Sequence, residues 1–206
     1  MHISEGVLSL PVLVAGAGIT VAGLAIGLKR LTPERLPMAG ALAAAFFVAS
    51  LIHVPVGLAN AHLLLVGLTG VLLGWAAFPA IFIALVLQAL LFQYGGITTL
   101  GVNTASMGVG SVCASGLYLL VLRFWPGALK TAAFCAGFFG IVIAALLAAA
   151  SLAFTSEGFV GAATVLLLAH LPVMFAEGLI TMLAIGFLAR LRPELLPRQH
   201  IQEQPA

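Results

Sequence analysis

Apolar residues in this chain run together in long blocks, separated by short stretches that hold nearly all of the charge. A transmembrane helix needs ~20 mostly apolar residues at ~1.5 Å each. Seven blocks qualify: Leu10 to Leu28, Met38 to His53, Ala61 to Phe78, Pro79 to Tyr94, Thr104 to Leu122, Thr131 to Phe154, and Ala162 to Ala189. Only a turn around Pro79 divides the third from the fourth, and Pro172 inside the seventh predicts a helix that is tilted or broken there. The expected fold is an all-α integral membrane protein, a bundle of about seven transmembrane helices. It forms one domain over 1–206, with a free segment at 1–9, the bundle at 10–189 and a polar tail at 190–206.

Composition agrees with the pattern. Apolar residues make up 63% of the chain and charged residues 7%, with a mean hydropathy of +1.23. A soluble domain is ~45–50% apolar and ~25% charged and could not bury so much hydrocarbon. Eight Lys and Arg against six acids make no basic surface able to follow nucleic-acid phosphates. Cys113 and Cys135 both fall within apolar blocks and read as small fillers rather than a disulfide or a thiolate metal site.

The few charges orient the bundle. With seven spans and the N-terminus outside, Lys29, Arg30, Arg35, Arg123, Lys130, Arg190, Arg192 and Arg198 all fall on the cytoplasmic side, as the positive-inside rule requires. A span more or less would scatter them over both faces. The expected location is the plasma (inner) membrane, in contact with lipid, with the C-terminus cytoplasmic. The opening Met1-His2-Ile3-Ser4-Glu5-Gly6 has no basic n-region and no cleavage site, so it is expected to be retained. Ser9 followed by Pro11 marks a helix start and leaves the residues before it able to fold over the outer face.

Several chemistries are excluded. Lys130-Thr131 lacks the glycine spacing of a P-loop, and Gly108-Val109-Gly110-Ser111-Val112 is not a serine-hydrolase elbow. Glu177 is the sole acid in the middle of a span. It reads first as an interhelical hydrogen-bonding group, and secondarily as a group for conformational coupling or proton movement. A self-sufficient ion permease would need paired intramembrane charges. His170 reads as a neutral core histidine bonded to a neighbouring helix, and His200 as solvated in the tail.

His2, His53 and His62 map to the outward side. The Met1 α-amine, the His2 backbone nitrogen and the His2 Nδ1 can wrap one metal ion in a five-membered and then a six-membered ring. A deprotonated amide is a strong in-plane donor, so such a set favours nickel(II), copper(II) or low-spin cobalt(II) over tetrahedral zinc. The fourth corner needs one more nitrogen, for which His62 is the candidate and His53 the substitute. A Met-His start is short enough to arise often by chance. The alternative from another class is a haem-binding membrane electron-transfer protein with His53 or His62 paired to His170.

The chain resembles the CbiM/NikM family, the substrate-binding S components of energy-coupling-factor importers for cobalt and nickel. The resemblance rests on Met1-His2-Ile3 with Gly6, on the His62 segment through Gly67 and Gly70, and on Gly95-Gly96-Ile97-Thr98-Thr99-Leu100-Gly101-Val102-Asn103-Thr104. Glu177-Gly178-Leu179-Ile180-Thr181 and the stretch from Arg190 to Leu196 complete it. It implies a seven-helix S component of a bacterial or archaeal membrane, without enzymatic activity or an ATPase of its own. Its N-terminal segment would bind the metal through the Met1 amine, the His2 backbone nitrogen and the His2 and His62 side chains. The transported ion is Ni2+ or Co2+ and no cofactor is expected. The implied partners are a transmembrane T component, ATPase subunits and a small accessory membrane subunit. Small residues every fourth position carry the T-component contact in related proteins, which points to Ala41, Ala45 and Ala49 here. Gly18 with Ala22, and Gly23 with Gly27, read as internal packing. Asn103, or a carbonyl of its loop, is the candidate to accept the outer N–H of a metal-bound imidazole, with His53 as a neighbour of the site.

Overall fold

The structure, a computed structural model, describes residues 2–56 and 59–197, with the backbone alone for 53–56 and 59–61. Seven α-helices follow one another as α1 (Leu10–Arg30), α2 (Leu36–Ala49), α3 (Val66–Leu73), α4 (Ala77–Phe92), α5 (Leu100–Phe124), α6 (Leu129–Thr155) and α7 (Val160–Leu191). A two-stranded antiparallel ribbon, β1 (His53–Val56) and β2 (Ala59–His62), interrupts them. Four of the helices, α1, α5, α6 and α7, and the run Val66–Phe92 are long and apolar enough to cross a membrane. The protein is a multi-pass membrane bundle.

The middle of the chain departs from the expected spans. The second helix has 14 residues and the third only 8, both short of the ~20 that a straight crossing needs. The expected turn at Pro79 lies instead at Gly74–Ala76. Gly74 takes φ +59 there, a left-handed backbone that glycine adopts without a Cβ penalty. Pro79 sits in the first turn of α4, where its missing N–H has no helical partner to lose. The reversal is real, because His62 before α3 and Tyr94 after α4 both lie against the His2 ring. A straight helix over 27 residues would hold them ~40 Å apart.

In place of the loop expected after His53, the ribbon sets His53 opposite His62, Val54 opposite Ala61 and Pro55 opposite Asn60. Helix α7 runs unbroken through Pro172, so of the tilt or break expected there the break is absent. Ser9 occupies the N-cap position of α1 without a side-chain cap, and its N–H donates to Thr155 Oγ1 at 3.2 Å.

Short α3 lies inside a wall made by α5, α6 and α7, and seven of its eight residues are buried. Glycine permits this. A Cβ on Gly67 would stand 2.8 Å from the Gly137 nitrogen, and one on Gly70 would stand 2.9 Å from Ser111 Cα. Helices α6 and α7 approach equally closely where Gly137 faces Gly178. Where water is absent, such close backbone contact supplies the packing that the hydrophobic effect supplies elsewhere. In α1, Gly23 and Gly27 meet Phe78 and Trp75 as expected of internal packing. Gly18 and Ala22 do not, because both are exposed and Gly18 has open space around it. The α1 stripe that meets the bundle is instead Gly16, Thr20, Gly23 and Gly27.

Residues 2–9, the ribbon, Gly95–Thr99 and Glu157–Phe159 share one end of the bundle. The basic residues Lys29, Arg30, Arg35, Arg123, Lys130, Arg190 and Arg192 lie at the other, and the Arg35 guanidinium donates to the Leu72 carbonyl at 2.9 Å. Cys113 and Cys135 are unpaired.

Gly70→Ala is expected to lower stability by ~3 kcal/mol or more, or to abolish folded protein, since the added carbon meets backbone that cannot retreat. Gly18→Ala is expected to be neutral or to stabilise slightly, as alanine is the better helix former. Thermal unfolding in detergent, followed by size exclusion, separates the two.

Candidate metal centre

The centre is built where three pieces of irregular backbone meet: the N-terminal segment, the end of the ribbon, and the loop between α4 and α5. The imidazoles of His2 and His62 lie face to face, with centroids 4.8 Å apart and planes 13° from parallel. Tyr94 stacks on the far side of His2 at 6.3 Å and Phe92 on Tyr94 at 5.8 Å. His62 is 3% exposed, and its Nδ1 lies 3.3 Å from the Leu63 carbonyl. Metal–nitrogen bonds are ~2.0–2.1 Å long, so two nitrogens on one ion are at most ~4 Å apart. Rings at this separation can present nitrogens to a single ion.

Backbone pairing holds the N-terminal segment in place. The Ile3 N–H donates to Asn103 Oδ1 at 3.0 Å, and Asn103 Nδ2 donates to the Ile3 carbonyl at 3.2 Å. One side chain thus occupies both polar groups of the residue that follows His2. Asn103, expected to accept an imidazole N–H through its oxygen, accepts this backbone N–H there and keeps a second lone pair. Its other contact is a donation to Thr99 Oγ1 at 3.4 Å. The Glu5 N–H donates to the Gly95 carbonyl at 3.1 Å, and Glu5 Oε2 accepts from the Ile97 N–H at 3.1 Å. Gly95 at φ +78 and Gly96 let the loop lie flat on the segment, since a Cβ on Gly96 would stand 2.6 Å from Glu5 Cβ. Ile3 and Leu8 are buried as apolar anchors, 5% and 8% exposed.

Glu5 and Tyr94 were not candidates from sequence. The only signal for Glu5 is its place as the one acid ahead of the first helix, and Tyr94 is indistinguishable from an aromatic at a helix end. The Met1 amine and the His53 side chain, both candidates, lie outside the described residues, as does the tail from Arg198 onward. His53 is placed by its backbone alone, across the ribbon from His62. Ala41 and Ala45 are exposed and Ala49 half-buried, while α2 buries Ala39, Leu42 and Phe46. The alanine stripe therefore faces away from the protein's own core.

His170 is buried, and its ring bonds within its own helix, with Nδ1 2.7 Å from the Leu166 carbonyl. Among the described residues no neighbouring helix supplies the hydrogen-bond partner expected for it. Glu177 is fully buried, and its Oε1 accepts from the Leu64 and Leu65 N–H groups at 2.5 and 2.6 Å. Among the described residues, no three His, Cys, Asp or Glu side chains converge as a metal cluster.

Residues 2–195 match the family model for the cobalt uptake substrate-specific transmembrane region. A putative metal transport protein of Haemophilus influenzae is 44% identical, over 96% of this chain and 98% of its own. A cobalt transport protein CbiM of Sorangium cellulosum is 34% identical, over 98% and 96%. A putative fused nickel transport protein NikMN of Archaeoglobus fulgidus is 32% identical, over 97% of this chain and 69% of its own. A crystal structure of a truncated transition metal transporter superposes with a TM-score of 0.82 at 28% identity, over 93% of this chain and 99% of the other. Nothing in these likenesses supports the haem alternative. The chain belongs to the CbiM family of cobalt and nickel uptake proteins, and is a membrane transport component rather than an enzyme.

Proposed function

We propose that the chain captures Ni2+ or Co2+ at the His2–His62 end of the bundle and is the substrate-binding S component of an ATP-driven energy-coupling-factor importer. The observation that carries this is the stacked pair of imidazoles, brought together from positions 2 and 62. Two side chains supply two nitrogens. A four-nitrogen ion draws the others from the His2 backbone and the Met1 amine, which adjoin His2 by covalent geometry. Nitrogen-only ligation with an amide donor selects metals that favour square-planar geometry.

The positive-inside rule puts the basic end in the cytoplasm and the imidazole pair outside, in the inner membrane of a bacterium or archaeon. Energy comes from ATPase subunits through a transmembrane T component. The α2 face bearing Ala41, Ala45 and Ala49 offers that component a close backbone approach. The Archaeoglobus relative, of which this chain spans 69%, is a putative fused nickel transport protein, in keeping with a small accessory membrane subunit as a further partner.

His62→Ala is expected to weaken nickel binding by more than ~100-fold, beyond the ~10–100-fold typical of losses around a metal, and His53→Ala by much less. Calorimetric titration of the purified protein compares them, and equal losses would move the fourth ligand away from His62. Asn103→Ala is expected to weaken binding ~10–100-fold with helicity unchanged, since it frees Ile3 without touching a ligand. A short peptide fused ahead of Met1 turns the amine into an amide and opens the five-membered ring. Binding of both metals is then expected to collapse, while the same peptide after Ala206 leaves it near normal at equal membrane abundance. Full binding by the N-terminally extended protein would remove the Met1-His2 chelate from consideration.

A further inference from the structure

The chain between β2 and α3 is irregular where it enters the bundle, and Leu65 takes φ +53. For leucine this left-handed backbone costs roughly 1–2 kcal/mol, so neighbouring structure must hold it. The first amides of a helix also lack helical acceptors, and at this depth no bulk water replaces them. One group answers both needs. Glu177, from the middle of α7, reaches across to take the Leu64 and Leu65 N–H groups on a single oxygen. Among the described residues it is the one acid buried inside the bundle, at 0% exposure, and its Oε2 has no hydrogen-bond partner among them. A bond across 112 residues to two successive amides is a fixed point of the fold.

His62 is two residues upstream of those amides, and its ring must meet that of His2. We propose that Glu177 is the positioning residue of the metal centre: its carboxylate pins the backbone at Leu64 and Leu65 and thereby sets the His62 imidazole against His2. This rests on the reading of His62 as a ligand. Without the acceptor, two buried amides are left bare at ~1–3 kcal/mol each, Leu65 is free to leave the left-handed region, and His62 moves with it. Required is an acceptor oxygen at that reach, which glutamine also supplies. Aspartate, one methylene shorter, does not.

The test is the ligand-field absorption of Cu2+ and Ni2+ bound to the purified full chain, since exchanging an in-plane nitrogen for water moves the band to lower energy. Four variants are compared with the unaltered protein: Glu177→Gln, Glu177→Asp, Glu177→Leu, and His62→Ala as the reference for a lost fourth nitrogen. The expected result is that Glu177→Gln keeps the band and keeps affinity within about 3-fold. Glu177→Asp and Glu177→Leu are expected to move the band toward that of His62→Ala and to weaken binding about 10–100-fold. A side chain with a merely structural role would lower the yield of folded protein and leave the band of the bound metal unmoved. If the leucine variant does not fold, the other two decide. Aspartate shifted with glutamine unshifted supports the proposal; aspartate unshifted, or both shifted alike, overturns it. An unmoved band in His62→Ala would overturn the ligand assignment itself, and is told apart from the previous outcomes because it appears in that variant.

Discussion

In hydrocarbon a backbone amide or carbonyl has no solvent to turn to, so non-helical chain at membrane depth survives only where protein surrounds it. This constraint shapes the centre of the molecule. The turn Leu63–Leu65 and the short α3 are enclosed by α5, α6 and α7, with Glu177 taking two amides and Ser111 Oγ donating to the Val66 carbonyl at 2.9 Å. Enclosure needs close walls. Gly67 against Gly137, and Gly70 against Ser111, let the walls come near enough. A half-length helix would be a poor spanning element by itself, yet here it lets the chain enter with His62 at one end and leave with Tyr94 at the same end.

The same rule governs the N-terminal segment, which must also satisfy its polar groups where it sits on the bundle. It does so by pairing with fixed partners: Ile3 with Asn103, and Glu5 with Gly95 and Ile97. None of these contacts uses an imidazole, so His2 is placed through the backbone of its neighbours. Backbone pairing also fixes register. A slip of one residue would bring Ile3 to the place of His2 and face the opposite side chain toward His62.

How much of this could be read from the sequence follows from what each signal depends on. Long apolar blocks give away α1, α5, α6 and α7 within a few residues, because length and composition are local properties. The gathering of basic residues at one end is legible for the same reason. Proline is the louder local signal, which puts the expected turn at Pro79, whereas the decisive feature at Gly74–Ala76 is the positive φ of Gly74, which no local pattern announces. The break between His53 and Ala61 is legible, but the pairing of His53–Val56 with Ala59–His62 is not, because these strands are too short to show a pattern of their own. Within the site, the Met1-His2 chelate is legible in the residues themselves, whereas the choice of His62 over His53 comes from family likeness, since no local pattern links residues 60 apart. Asn103 stands out as a polar group in an uncharged stretch, but it lies in the first turn of α5 and pairs with the Ile3 backbone, and backbone partners are invisible in a sequence.

Glu177 shows the limit most clearly. An acid in an apolar helix announces that something unusual surrounds it, but charge-based reading searches for an opposite charge or a second carboxylate. Here the partners are two leucine amides, donors that every residue except proline possesses. The anomaly on α7 and the left-handed Leu65 are two halves of one arrangement, each unexplained alone. A buried charge with no countercharge is costly unless hydrogen bonds offset its desolvation, and bare amides at a helix start are costly for the same reason. Placed together, each offsets part of the other's cost, and the irregular chain ahead of α3 is held in one position.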